Sequence, residues 1–245
     1  MPLGPARRDG PGVPLDPAPR DRQGAGVGGV AAVRPARLVV ISGTGTEVGK
    51  TWVGAALLRE GRRRGLRVAA RKPLQSFSPG AHSLDSEVLA AASGEPASDV
   101  CPEERSFPAP MAPPMAAEAL GRPLPTMAAV VSLLEASWPA GSCDLAVVEG
   151  AGGVASPLTE DGHTADLAGR LRADVVVLVA NPSLGVINSA RLAVAALAPA
   201  RVIVHLNRFD PADDLHRRNA AWLTERDRFE VTSSIAGLVD RLLEP

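Results

Sequence analysis

From Arg37 onward the chain alternates short runs of branched apolar residues with longer stretches in which apolar positions recur every three or four residues. The runs predict strands at Leu38–Ser42, Arg67–Arg71, Leu145–Val148, Val175–Ala180, Val202–Leu206 and Phe229–Thr232. The periodic stretches predict helices at Lys50–Arg64, Leu84–Ala92, Thr126–Ser137, Thr164–Arg172, Ile187–Leu197, Asp214–Glu225 and Ile235–Leu243. Strands that are apolar nearly throughout, rather than at every second position, are buried on both faces. An α/β fold follows, with one parallel sheet covered by helices on both faces. In such sheets ligands collect at the carboxyl ends of the strands.

Residues 1–36 break this rhythm. They are crowded with Pro, Gly, Arg and Asp and show no apolar period, which predicts a disordered N-terminal extension ahead of a single domain over residues 37–245. The extension lacks the apolar core of a secretory signal and is richer in acid and poorer in serine than an organellar presequence. No run reaches the roughly 18 apolar residues of a membrane span. The formal net charge is −1, so no global field draws the chain to nucleic acid or to an anionic membrane. Cys101 and Cys143 lie far apart with no CxxC spacing, which predicts two reduced, buried thiols and a cytoplasmic protein.

The candidate chemistry sits just after the predicted strands. Gly43 to Thr51 reads GTGTEVGKT between the first strand and the first helix, the layout of a triphosphate-binding loop. In such a loop backbone N–H groups converge on phosphate, Lys50 reaches the β and γ phosphates, and the Thr51 hydroxyl ligands magnesium. The helix that starts at Lys50 adds its positive end. Five residues separate Gly43 from Gly49, one more than in the common GxxxxGK spacing. After the second strand comes KPLQS, Lys72 to Ser76, which puts a second cation and a hydroxyl beside the loop. After the third comes EGAGG, Glu149 to Gly153, where a strand-end carboxylate suits magnesium and the glycines allow close approach to the backbone. Asp85, near a helix start, is a second candidate carboxylate.

Taken together these segments resemble dethiobiotin synthetase, an ATP-dependent family with a P-loop NTPase-type fold, over about Leu38 to Asn207. The family's loop reads GTxTEVGKT, so the resemblance implies ATP held by Gly45, Thr46, Glu47, Val48, Gly49, Lys50 and Thr51, with Asn207 reading adenine. It implies Lys50 and Lys72 as catalytic cations and Mg2+ on Thr51, Asp85 and Glu149. Ser76, Gly150, Ala151, Gly152 and Gly153 would meet the substrate, and Asn188 of the LGVIN segment its carboxylate across a homodimer interface. The implied reaction joins carbon dioxide to 7,8-diaminopelargonate and closes a ureido ring through a carbamic-phosphoric anhydride, releasing ADP and phosphate in biotin biosynthesis.

The resemblance has gaps. Ala109–Glu118 lacks the histidine that relatives carry there, Gln75 and Phe77 flank Ser76 where small residues are commoner, and Val154 stands for a larger aromatic. Two alternatives remain in view. An amidoligase-like ATPase acting on another small carboxylate usually carries a glutamine-hydrolysing domain with a nucleophilic cysteine, for which no room is left after Pro245. A partitioning-type switch ATPase usually carries a further lysine at the position of Thr44 or Gly45. Elsewhere, His205 falls inside an apolar strand and predicts a hydrogen-bonded core histidine, and Trp52 on the first helix predicts packing.

Overall fold

The computed structural model describes residues 33–244. The extension expected over residues 1–36 lies outside them up to residue 32. Its last residues are already engaged with the folded part: Ala36 donates its N–H to the Cys143 carbonyl at 2.8 Å, and the Arg34 guanidinium reaches the Arg172 carbonyl at 2.7 Å. These contacts use backbone and charge, which an apolar pattern does not register.

The chain opens with β1 (Arg37–Gly43), α1 (Lys50–Arg63), β2 (Val68–Arg71) and the two-residue β3 (Gln75–Ser76). It continues through α2 (Asp85–Ser93), the single turn α3 (Ala97–Val100), β4 (Ser106–Phe107), α4 (Pro113–Ala119) and α5 (Met127–Ala136). Next come β5 (Leu145–Glu149), β6 (Pro157–Thr159), β7 (Gly162–His163) and α6 (Thr164–Arg170). The last elements are β8 (Val175–Ala180), α7 (Val186–Leu197), β9 (Val202–Leu206), α8 (Asp214–Ala221), β10 (Glu230–Thr232) and α9 (Ile235–Leu243). Every expected strand and helix is present, and ends agree to a residue or two except at α8. There the helix widens into a π turn at Trp222–Arg226 that carries the fully buried Leu223.

The main sheet runs β10-β9-β8-β1-β5-β2 and is parallel throughout. Successive strand residues feed two cores. Val40, Val148, Val176 and Leu178 face α5, α6 and α7 through Met127, Val130, Leu167 and Ala190. Val39, Ile41, Val147 and Val177 face α1, α2 and α9 through Val53, Leu57, Leu89 and Leu238. This two-sided burial is why the strands are apolar without alternation. The chain leaves β1 in one direction toward β2 and later returns to its other side at β8, so strand order reverses at β1. The crevice outside its carboxyl end is where such sheets bind ligands. Among the described residues no helix is long and apolar enough to cross a membrane.

His205 is buried on β9, with its ring Nδ1 3.0 Å from the Thr232 hydroxyl on β10, as expected for a core histidine. Burial lowers its pKa from 6.5 to about 4. Between those values the unfolded chain takes up a proton that the folded chain refuses, so stability falls as pH falls through the window. By pH 4 the loss from this group reaches about 3 kcal/mol. Melting curves from pH 7 to pH 4 should therefore show a steeper loss for the natural chain than for His205→Gln, which keeps a polar contact without titrating. Equal slopes would remove His205 from the account.

Candidate active site

The loop after β1 is shaped by positions that no ordinary side chain suits. A Cβ on Gly43 would lie 2.7 Å from the Val48 side chain, and Gly49 has φ 95°, in the left-handed region. A Cβ on Gly49 would also run into the Asn207 amide. Glu47 takes a positive φ of 61° without being glycine, a backbone cost that recurs at ligand-binding turns. α1 then begins at Lys50 with no side-chain cap and no acidic residue in its first turn. Its first N–H groups and positive end are those of an anion site. Lys50 arches over the loop, donating from Nζ to the Gly45 carbonyl at 3.0 Å.

Two strand ends and one helix start bring the other charges to this place. Lys72, just beyond β2, is almost fully buried, with Nζ 2.6 Å from Glu149 Oε1, 2.8 Å from Asp85 Oδ2 and 3.2 Å from the Gly150 carbonyl. The Thr51 hydroxyl lies 2.8 Å from Asp85 Oδ1 and 2.9 Å from Glu149 Oε1. Burial pulls on the Lys72 ammonium, but the charges of Glu149 and Asp85 outweigh it and hold its pKa above the usual lysine value. Asp85 is held below its usual range, because Lys72 and the Thr51 hydroxyl more than offset its burial. Lys50 is pulled down by burial and by Lys72, with Glu149 and Asp85 opposing.

The oxygens of Thr51, Asp85 and Glu149 form a hard donor set, and Glu149 Oε2 is buried with no hydrogen-bond partner among the described residues. Among the described residues no three His, Cys, Asp or Glu side chains gather as a protein-only metal cage. The set therefore fits an ion that takes its remaining ligands from phosphate and water.

All these groups open onto one cavity of about 920 Å³. Thr46, Glu47, Gly49, Lys50 and Thr51 line it from the loop, and Lys72, Asp85, Glu149, Ser76, Ala151 and Gly152 line it beside them. Gly45, Val48, Gly150 and Gly153 support it without lining it. Asn207 is also behind the wall, where its amide donates to the Val48 carbonyl at 2.9 Å and braces the loop. Asn188 stands exposed near the start of α7, away from the cavity. Pattern reading passed over Arg208, Met111 and Ser156, which also line the cavity. Arg208 carried a signal, since it follows the strand-end Asn207, and its φ is 59°. Met111 lies in the Ala109–Glu118 stretch already noted for its missing histidine, and the Ser76 hydroxyl donates to its carbonyl at 2.6 Å.

One expectation is corrected. Trp52 does not pack: it is 58% exposed, because the buried stripe of α1 runs through Val53, Leu57, Leu58 and Gly61 and leaves position 52 outside. Gly150 also answers a packing demand, since a Cβ there would sit 2.5 Å from both Thr164 Cγ2 and Thr164 Oγ1. Gly150→Ala should cost about 1–3 kcal/mol of stability, the usual penalty of overpacking. Adding Thr164→Ala removes both clashing atoms, along with a buried hydroxyl that has no partner among the described residues, and should restore most of the loss in a melting experiment. Persistent destabilisation in the double variant would contradict this packing argument.

The family model described as AAA domain matches residues 37–209. The ATP-dependent dethiobiotin synthetase of Anaeromyxobacter dehalogenans (strain 2CP-C) is 42% identical over 201 residues, covering 78% of this chain and 87% of that protein. That of Mycolicibacterium vanbaalenii is 37% identical over 166 residues, covering 67% of this chain and 70% of its own. A plasmid partition protein of Borrelia burgdorferi superposes with a TM-score of 0.51 at 12% identity, over 86% of this chain and 97% of that one, a likeness of fold alone. Identity near two residues in five over more than three quarters of the sequence goes well beyond a shared fold, and the chain belongs to the ATP-dependent dethiobiotin synthetase family.

Proposed function

We propose that the chain is an ATP-dependent cyclo-ligase that converts 7,8-diaminopelargonate to dethiobiotin. One substrate amine adds to carbon dioxide and loses a proton, giving a carbamate. A carbamate oxygen attacks the γ-phosphorus of ATP and ADP leaves. The neighbouring amine then attacks the carbonyl carbon of the mixed anhydride, closing the five-membered ring and expelling phosphate. A carbamate is a poor electrophile, so phosphorylation supplies the leaving group, and holding both amines in one place makes closure intramolecular.

The observation that carries this reading is the meeting of Lys50 and Lys72 with the loop in a cavity that Ser76, Ala151 and Gly152 also line. Phosphate end and second substrate can share that space. Lys50 and the α1 start bind the phosphates, and Lys72 balances charge that spreads over the transferring group. Magnesium, held by Thr51, Asp85 and Glu149, supplies further charge neutralisation when bound. The Glu149–Gly153 turn and Ser76 orient the diamine, and Asn207 steadies the nucleotide loop.

The chain acts as a homodimer in which Asn188 of one copy completes the cavity of the other. Leu184, in the turn before α7, and Leu192, one helical turn after Asn188, are 87% and 65% exposed and favour a covered face there. A cytoplasmic setting fits two buried cysteines left free. The test supplies diaminopelargonate, bicarbonate and magnesium ATP and follows dethiobiotin by mass together with phosphate. One ring per phosphate is expected. Phosphate release without the ring would point instead to another small carboxylate or to a switch ATPase.

A further inference from the structure

Asp85 is the first residue of α2, and its carboxylate is 43% exposed and, among the described residues, tied only to Thr51 and Lys72. What fixes it must therefore fix the helix start. That start has no polar N-cap, since the N-cap residue is Leu84, whose own N–H is taken by Glu87 Oε2 at 2.8 Å. The Ser86 N–H, which a capping side chain would ordinarily satisfy, goes elsewhere. It donates to Gln75 Oε1 at 3.1 Å, across from β3. The same carboxamide donates from Nε2 to the Ser86 hydroxyl at 2.9 Å and to the Ser106 hydroxyl on β4 at 2.8 Å. Gln75 and Ser86 are each 3% exposed, so the two bonds between them are shielded from water, and the bond to the half-buried Ser106 partly so. Gln75 and Ser106 are also register partners of the β3–β4 pair.

We propose that Gln75 is a positioning residue: by capping α2 from the neighbouring strand, it holds the Asp85 carboxylate where the nucleotide's divalent ion is bound. The inference rests on the reading of Asp85 as a ligand of that ion. A small residue at position 75 would leave the Ser86 N–H without its partner and the helix start free to slide. The Thr51 and Lys72 contacts of Asp85 would then both lengthen. Groups that orient a metal ligand typically contribute tenfold to a hundredfold in affinity.

The test compares the natural chain with Gln75→Met, Asp85→Asn and the double variant, using equilibrium binding of manganese with ADP followed by electron paramagnetic resonance. Gln75→Met keeps the volume and removes the three bonds. It should weaken metal binding about tenfold, with ADP binding in the absence of metal unchanged. In the Asp85→Asn background the same change should have no further effect, because its route of action is gone. A merely structural glutamine would instead give additive losses, and additivity or an unshifted Gln75→Met overturns the inference while leaving Asp85 as a ligand. An Asp85→Asn protein with unaltered metal binding would overturn that underlying reading and the inference with it. Should Gln75→Met fail to fold, Ser106→Ala leaves Gln75 in place and removes its anchor on β4. A weakening of about threefold is expected there, the worth of one lost hydrogen bond, and no weakening overturns the inference.

Discussion

A Lys50→Ala enzyme should lose ring formation by a factor on the order of 10³, the upper range for deleting one charge-stabilising donor from a water-excluded site. Lys50 is buried beside Lys72, and no other described side chain reaches over the loop from the start of α1. Its removal leaves the loop N–H groups able to hold phosphate, so the loss should fall mainly on kcat rather than on nucleotide affinity. Little change in fold is expected, because the Lys50 ammonium makes one bond, to the Gly45 carbonyl. Turnover measured as dethiobiotin and as phosphate, beside a melting curve, checks both parts. Near-normal turnover would remove the loop lysine from the chemistry.

Lys72→Met is expected to damage activity and stability together. The ammonium is buried among Glu149, Asp85 and the Gly150 carbonyl, and deleting one member of a buried ion pair costs about 3–5 kcal/mol because its partner is left charged and unpaired. Turnover should fall by about 10²–10³ as charge on the transferring group goes unbalanced. Adding Glu149→Gln removes the stranded charge and should recover stability while turnover stays lost, a coupling that a double-mutant cycle measures. If the double variant were less stable than Lys72→Met by the full cost of Glu149→Gln alone, the pair would not be acting as a pair.

The six main-sheet strands were legible because runs such as Val175–Ala180 can be that apolar only when both faces are covered. The short elements were not. β3 and β4 are two residues each and exist through pairing with one another, and the proline-rich stretch around them hides the fully buried Phe107 in no periodic pattern. β6 and β7 depend in the same way on a turn between Thr159 and Gly162. At the site, Lys50, Lys72 and Glu149 could be found because each stands at or beyond the carboxyl end of a strand of the main sheet, and a parallel sheet brings such ends together. Gln75 could be seen only as a departure from smaller residues, since its role lies in three contacts with chain segments that sequence does not bring near. Trp52 was misread by residue type although the i, i+3, i+4 stripe of its own helix excluded it.

The central claim is that this cavity passes the γ-phosphoryl group of ATP to an oxygen of captured carbon dioxide. A single turnover begun with ¹⁸O-labelled carbon dioxide in ordinary water, and quenched before the label exchanges, tests it by the mass of the phosphate released with dethiobiotin. One labelled oxygen is expected in each phosphate, carried from the carbamate when the ring closes. Dethiobiotin formed alongside phosphate without label would contradict it.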